Sequence, residues 1–231
     1  MPILECKELC KSYGSVPALD TVDLQIEPGR ITGLLGPNGS GKTTLLKLAN
    51  GLLTPSSGEI LIAGEEPGCE SRALVSYLPD RTYLADWMKV RQLLDFFEDF
   101  YVDFDRAKAS SMLERLNIDP EMRIHEMSKG TREKTQLILV MSRAAKLYLL
   151  DEPIGGVDPA TRDFILDTII RNYNPEAAVI ISTHLIADVE QVLDDVVFIN
   201  NGKIVLTSSV DSIREERGMS VDQYFREVFR C

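Results

Sequence analysis

Apolar runs without polar alternation recur along the chain and predict buried strands. The runs are Ile31–Leu35, Leu147–Leu150, Val179–Ser182, Val196–Ile199 and Ile204–Leu206. Continuous apolar strands are typical of parallel sheets that helices cover on both faces. The segment before Ile31 is predicted instead to form short strands, separated by turns at Gly14, Pro17 and Pro28-Gly29. The pattern predicts an α/β domain with a mainly parallel sheet.

The middle of the chain changes to a helical period. Four apolar residues share one face of a predicted helix that starts near Val90: Leu93, Leu94, Phe97 and Phe100. Asp105 is placed to cap a second helix that ends near Leu116, and a third helix is predicted after Ser128. The segment from about 82 to 145 is therefore predicted to be a helical subdomain inserted into the α/β core.

Length and composition fit one globular domain. With 231 residues, 44% of them hydrophobic, the chain can bury a core without disulfides or a structural metal. We expect a single domain over 1–231, with core segments at about 1–81 and 146–231. The N-terminus lacks the features of a signal peptide. No run reaches the roughly 18 apolar residues of a membrane span, so a membrane process would need another chain.

The net charge and the cysteines indicate which partners and which cellular compartment to expect. The formal net charge is −11, and this acidic balance argues against nucleic acid as the main partner. The four cysteines form no Cys-x-x-Cys pair and suggest neither a zinc site nor a disulfide framework: Cys6, Cys10, Cys69 and Cys231. We expect a reducing, cytoplasmic compartment, with Cys6 packed as a small apolar residue.

Gly36–Thr43 matches the phosphate-loop pattern G-x-x-x-x-G-K-[ST] at every fixed position. The preceding run is strand-like, and a helical pattern follows with Leu45, Leu46, Leu48, Leu52 and Leu53. Glycines let the backbone aim its N–H groups at phosphate oxygens. Lys42 is expected to reach the β- and γ-phosphates, and the Thr43 hydroxyl to ligate Mg²⁺. An accidental glycine turn between strand and helix is the alternative.

Two acids and a histidine follow later apolar strands. Asp151 and Glu152 end the run from Leu147; we expect Asp151 to hold Mg²⁺ and Glu152 to polarise the attacking water. An exposed acidic turn is the alternative. His184 follows the strand at Val179 and is interpreted as a γ-phosphate sensor, whereas His125 is interpreted as an ordinary surface or core residue.

Taken in order, these motifs resemble the ATP-binding subunits of ABC transporters over essentially the whole chain. Gly36–Thr43 is similar to that family's Walker A motif and Leu147–Glu152 to its Walker B motif. Ser128–Arg132 stands at the place of the signature motif, and Gly155–Asp158 is similar to the D-loop. The resemblance implies a P-loop NTPase core that includes an N-terminal antiparallel β subdomain.

The same resemblance implies site residues. Glu152 and His184 are expected to be catalytic, and Thr43, Asp151 and Asp80 to bind Mg²⁺. The expected ATP contacts, with Tyr13 stacking on adenine, are Tyr13, Gly36, Asn38, Gly39, Ser40, Gly41, Lys42, Thr43, Thr44, Ser128, Gly130 and Asp158. Because the family uses its signature in trans, two chains are expected to sandwich two ATP molecules, as a homodimer or as a heterodimer with another ATP-binding subunit.

Two departures from the family pattern are visible. The usual Leu-Ser-Gly-Gly-Gln signature reads Met127-Ser-Lys-Gly-Thr131, so Lys129 either contacts phosphate or stays solvated. Asp80 stands where the family generally has the Q-loop glutamine, and a carboxylate cannot donate the amide's hydrogen bond. Both departures predict altered turnover or altered coupling to the partner.

The implied function is an ATPase that powers an integral membrane permease from the inner face of the cell membrane, with export the favoured direction. The C-terminal segment 207–231 is too small for the regulatory domain of many importers. Tyr83, Leu84, Trp87 and Met88 are expected either to line the permease-docking groove or to pack inside the helical subdomain. The alternatives are a soluble ATPase acting on nucleic acid or ribosomes, and a regulatory module with little turnover.

Overall fold

Two sheets form the framework of the computed structural model, which describes residues 1–229. The smaller sheet is antiparallel and has the order β2-β1-β4, with bounds β1 Leu4–Tyr13, β2 Val16–Ile26 and β4 Ser57–Ile62. Strand β1 pairs along its whole length with β2, from Leu4 opposite Ile26 to Tyr13 opposite Val16. These strands are longer than the short ones predicted, and they confirm the antiparallel N-terminal part of the fold. Cys6 is buried there, whereas Cys231 lies outside the described residues.

The larger sheet has the order β5-β6-β7-β3-β8-β9. Its strands are β3 Ile31–Leu35, β5 Val75–Leu78, β6 Leu147–Asp151, β7 Ala178–Thr183, β8 Asp195–Asn200 and β9 Lys203–Ser209. Every neighbouring pair is parallel except β8 and β9, so the interpretation of Ile204–Leu206 as a parallel strand is wrong. The cause is a tight hairpin at Asn201 and Gly202, which both have positive φ; β9 is an edge strand with alternating burial.

Helices cover both faces of the larger sheet. Their bounds are α1 Lys42–Ala49, α2 Cys69–Leu74, α3 Val90–Phe100, α4 Arg106–Arg115, α5 Lys129–Met141, α6 Pro159–Asn172, α7 Ile186–Val189, α8 Val210–Arg217 and α9 Val221–Val228. One apolar cluster joins the sheet to α1 and the antiparallel sheet, and another joins it to α5, α6, α8 and α9. Helix α1 ends at Ala49, and Gly51 turns the chain with φ +64°. Leu52 and Leu53, which were predicted to be helical, therefore lie beyond the helix, and Leu52 is exposed.

Helices α3, α4 and α5 surround a third apolar cluster and form the predicted helical insert. Asp105 caps α4, since its carboxylate accepts from the Lys108 N–H at 2.9 Å. Phe100 lies in α3 as predicted, but it is 68% exposed, whereas Leu93, Leu94 and Phe97 of the predicted face are buried. Tyr101 and Phe104 occupy the positions beside the buried Phe97 ring, each 5.5 Å between centroids, so Phe100 lies outside.

A buried arginine ties the helical insert to the core. Arg143 is 3% exposed and forms a bidentate ion pair with Asp103 at 3.0 and 3.1 Å. It also donates to the carbonyls of Val75 and Ala73, and its guanidinium lies 3.9 Å from the centre of the Tyr101 ring. One side chain therefore connects α2, β5, the α3–α4 loop and the end of α5.

Candidate nucleotide site

The phosphate loop runs from the end of β3 into the first turn of α1. Gly36 is tightly enclosed, because an added Cβ would lie 2.3 Å from the Ile199 carbonyl oxygen. Gly41 has φ +111° and packs against Ala18 of β2. Lys42 is 5% exposed, and its ammonium donates to the carbonyls of Gly36 at 2.8 Å and Pro37 at 3.1 Å. The loop backbone thus holds the Lys42 ammonium within the glycine cradle.

A cavity of about 240 Å³ opens over this loop. The side chains and backbone that line it are those of Ala18, Asn38, Gly39, Ser40, Gly41, Lys42, Thr43, Thr44, Asp80 and Glu152. The structure therefore brings most of the predicted phosphate-loop residues together with two of the predicted acids. The Ser40 hydroxyl is buried without a hydrogen-bond partner among the described residues, a group that a phosphate oxygen would satisfy.

Asp151 lies at the carboxyl end of β6, directly beside the loop. The parallel register places it opposite Ser182 of β7, and its Oδ1 accepts from the hydroxyls of Ser182 and Thr43, the latter at 3.1 Å. Asp151 is fully buried. Burial raises the pKa of its carboxyl above the ordinary value, although the bonds from Ser182 and Thr43 oppose that rise.

Glu152 contacts several other side chains of the site. Its backbone has φ +49°, a left-handed conformation that is uncommon for a residue with a side chain. Its carboxylate lies 3.5 Å from the Lys42 ammonium and accepts from the Thr183 hydroxyl at 3.2 Å. His184 Nδ1 is 3.0 and 3.1 Å from its two oxygens. The structure thus joins a carboxylate, an ammonium and an imidazole in one network.

The residues present fit a hard divalent cation such as Mg²⁺. Asp151 Oδ2 is buried and has no hydrogen-bond partner in the described chain, and the Thr43 hydroxyl oxygen contacts Oδ1 of the same carboxylate. Oxygen donors of this kind suit Mg²⁺, which proteins usually hold with one or two carboxylates together with substrate phosphates. Within residues 1–229, no group of three or more His, Cys, Asp or Glu side chains is arranged to hold a metal.

Five predicted ATP contacts do not line this cavity in the single chain: Gly36, directly after β3, and Ser128, Gly130, Asp158 and Tyr13. Ser128 caps α5 by accepting from the Thr131 N–H at 3.1 Å, and Gly130 lies in the first turn of that helix. Asp158 caps α6 through Thr161, whose N–H and hydroxyl lower the pKa of the Asp158 carboxyl. Tyr13 is half exposed at the end of β1. Their roles toward nucleotide remain predictions.

Two residues of the site were not predicted from the sequence. Ser182 and Thr183 end β7 and hold Asp151 and Glu152, respectively. The available signal was the change from apolar to polar residues at the carboxyl end of a parallel strand, where α/β sheets place their ligands. His125 stays with its ordinary interpretation, because its Nδ1 contacts the Asp86 carbonyl at 2.9 Å. Lys129 is exposed and pairs with Glu133 at 3.6 Å.

A parallel sheet whose strand, glycine loop and helix enclose a buried lysine, beside a strand that ends in two acids, defines a P-loop nucleotide-binding domain. The sequence pattern of the ABC transporter family matches residues 19–155. The chain belongs to this family and is an ATP-binding subunit. Members of the family are generally ATPases, and their ATP-binding subunits generally pair with membrane permease components.

Relatives and solved structures agree with this assignment. The uncharacterized ABC transporter ATP-binding protein YxlF of Bacillus subtilis is 33% identical over 224 residues, covering 95% of this chain and 75% of that protein. The daunorubicin resistance ATP-binding protein DrrA3 of Streptomyces coeruleorubidus is 29% identical, covering 94% and 72%. A solved ATP binding subunit of an ABC transporter has a TM-score of 0.87 at 27% identity, covering 99% of this chain and all of that one. In the part of the chain that the structure describes, no helix is long and apolar enough to cross a bilayer.

Proposed function

We propose that this chain hydrolyses Mg·ATP in a two-subunit sandwich and thereby powers an export-type transporter whose membrane part is a separate permease. The network of Lys42, Glu152 and His184 over the phosphate loop is the observation that carries the proposal. Hydrolysis needs a positioned base and compensation of phosphate charge, and these side chains supply both. The chain would work in the cytoplasm, peripherally on the inner face of the cell membrane.

The sandwich explains why three of the expected ATP contacts, Ser128, Gly130 and Asp158, lie away from the cavity. Ser128 ends a loop and starts α5, so the free N–H groups of that helix present positive potential to an anion. In one chain, Ser128 and Gly130 do not line the phosphate-loop cavity. A second copy, or a related ATP-binding subunit, supplies them in the proposed dimer. Asp158 at the start of α6 would lie at the same junction.

Within each site, the residues have distinct tasks. Lys42 and the loop N–H groups bind the β- and γ-phosphates, and Thr43 with Asp151 would hold Mg²⁺, which when bound offsets the phosphate charge. Glu152 orients and deprotonates the attacking water. His184 and Thr183 fix the Glu152 carboxylate, so that its rotamer is set before phosphate arrives.

The proposal that transport is outward rests on the names of two relatives. DrrA3 is named for daunorubicin resistance, and YbhF of Escherichia coli, 31% identical over 93% of this chain and 38% of that protein, is named a probable multidrug transporter subunit. Both names refer to drugs, and drug resistance is consistent with outward transport. The membrane subunit selects the substrate in this proposal.

The permease is proposed to dock on the helical insert. Trp87 is 64% exposed, and elsewhere on the insert Phe96 contacts the exposed Phe100 with 4.4 Å between ring centres and the rings tilted by 32°. Tyr83 is half exposed, whereas Leu84 is buried in the insert's own cluster, as the alternative interpretation of this segment held. Exposed aromatic residues of this kind are typical anchors of protein interfaces.

The decisive experiment measures ATP binding and hydrolysis by the purified chain. We expect Mg²⁺-dependent binding and turnover, and loss of both in Lys42→Ala. Stimulation by a co-purified membrane subunit, reduced in Trp87→Ala, would separate the transport role from the ATPase. Unchanged ATP affinity in Lys42→Ala would overturn the proposed nucleotide site, whereas ATPase activity that no membrane subunit alters would overturn only the transport role.

A further inference from the structure

Asp80 adds an unpaired negative charge to the nucleotide cavity. It follows β5 in the loop after Leu78 and lines the cavity over the phosphate loop. Among residues 1–229 it takes part in no ion pair and no side-chain hydrogen bond. Asp80 therefore faces the site without a cation of its own.

The charge balance of the cavity is unfavourable for a free triphosphate. The lining holds two acids, Asp80 and Glu152, and one base, Lys42. Lys42 already pairs with Glu152 at 3.5 Å, so within this lining Asp80 has no cation as a partner. Like charges repel through a partly desolvated cavity more strongly than through bulk water. Free ATP⁴⁻ would bring its charge directly against Asp80.

The described chain supplies only part of a cation site beside this cavity. No cluster of three or more acidic or other metal-binding side chains exists in the described chain. Asp151 offers one free buried oxygen, and the Thr43 hydroxyl lies beside the other. A divalent cation at such a site needs phosphate oxygens to complete its coordination. The metal and the triphosphate would therefore complete each other's contacts at this site.

We propose that Asp80 is a specificity-determining residue that makes this subunit bind ATP only as its divalent-metal complex and reject the free nucleotide. The inference rests on the proposed nucleotide site and concerns the coupling between metal and nucleotide at that site. Coupling of this kind is a ratio of affinities, and it acts equally on both ligands. Neutralising Asp80 lowers the ratio by improving the binding of free ATP.

The experiment is a calorimetric titration with the β,γ-imido analogue of ATP, in excess EDTA and in excess Mg²⁺. Ionic strength is held equal, because salt screens exposed charges. The chains are the unmodified protein, Asp80→Asn, Asp80→Gln and the control Asp99→Asn, which removes the same charge from an exposed position on α3. Lys42→Ala serves as the variant without a functional phosphate loop.

We expect the ratio of the Kd in EDTA to the Kd in Mg²⁺ to fall on the order of tenfold in Asp80→Asn and Asp80→Gln. The fall should come mainly from tighter binding in EDTA, and Asp99→Asn should keep the original ratio. Ratios within about twofold across all these chains, with metal-dependent binding retained and Lys42→Ala inactive, would overturn the role of Asp80 and leave the nucleotide site standing. Absence of binding by the unmodified chain would overturn both.

Discussion

Lys42 and Glu152 form an ion pair, with 3.5 Å between Nζ and Oε1 and both side chains largely buried. A phosphate group entering the glycine cradle would compete with Glu152 for this ammonium. The same contact keeps the proposed base beside the reacting phosphate. The pair would therefore link nucleotide binding to the position of the proposed catalytic carboxylate.

Replacing the carboxylate tests this link. In Glu152→Gln we expect hydrolysis to fall at least about 100-fold, because the amide cannot take a proton from water. ATP affinity should rise about fivefold, since Lys42 no longer needs to leave a charged partner. Single-turnover kinetics and equilibrium titration measure the two effects. Weaker ATP binding in this variant would contradict the competition between phosphate and Glu152.

Gly36 offers a steric test of the cradle. A Cβ there would lie 2.3 Å from the Ile199 carbonyl oxygen and 2.6 Å from the Ser40 hydroxyl, so backbone must move. In Gly36→Ala we expect a loss of about 2 kcal/mol in the free energy of unfolding and severe loss of ATP affinity. Gly68→Ala is the control, since its nearest new contact is 3.7 Å away. Equal stability of the two variants in urea would refute the enclosure of Gly36.

Arg143 tests how the helical insert is attached. Arg143→Met leaves Asp103 and two backbone carbonyls without their buried partner. We expect a loss of about 3 kcal/mol in the free energy of unfolding. The matched control is Arg171→Met, which removes an exposed pair with Asp167 and should cost less than about 1 kcal/mol. A similar small loss in both variants would show that Arg143 does not anchor the insert.

The buried thiol of Cys6 is expected to make the free energy of unfolding depend on pH. Burial raises the pKa of its thiol from 9.0 to about 12, with smaller contributions from Asp23 and Glu5. Above pH 9 the unfolded chain loses this proton while the folded chain keeps it, so stability falls as pH rises. At pH 10 this effect lowers the free energy of unfolding by about 1.4 kcal/mol.

Cys6→Ala isolates that contribution from other titrating groups. The variant is less stable at pH 7 because a buried atom is lost, but its decline between pH 8 and pH 10 should be shallower than that of the unmodified chain. Thermal unfolding at several pH values measures the difference. Parallel declines would mean that the thiol is not protected by burial.

Much of the fold followed from local pattern. Apolar runs marked β3, β6, β7 and β8, and the glycine loop with its lysine marked the start of α1. Asp105 and Ser128 were recognisable as helix caps. These features depend on neighbours in the sequence, and so the sequence alone could predict them.

The remaining features depend on contacts between distant residues. Phe100 had the spacing of a buried residue, but Tyr101 and Phe104 took the places beside Phe97. The hold of Ser182 and Thr183 on the two acids follows from strand register, which only the assembled sheet fixes. The ion pair between Lys42 and Glu152 joins residues separated by more than a hundred positions in the sequence, so no local pattern predicts it.

The proposed sandwich is tested most directly by the mass of the Glu152→Gln chain in solution. Sedimentation with and without Mg·ATP gives that mass, while bound nucleotide is counted per chain. We predict a monomer without ATP and a dimer with one ATP per chain when it is present, and Ser128→Arg should abolish the dimer without abolishing ATP binding. A chain that binds one ATP and stays monomeric at all concentrations would contradict the account.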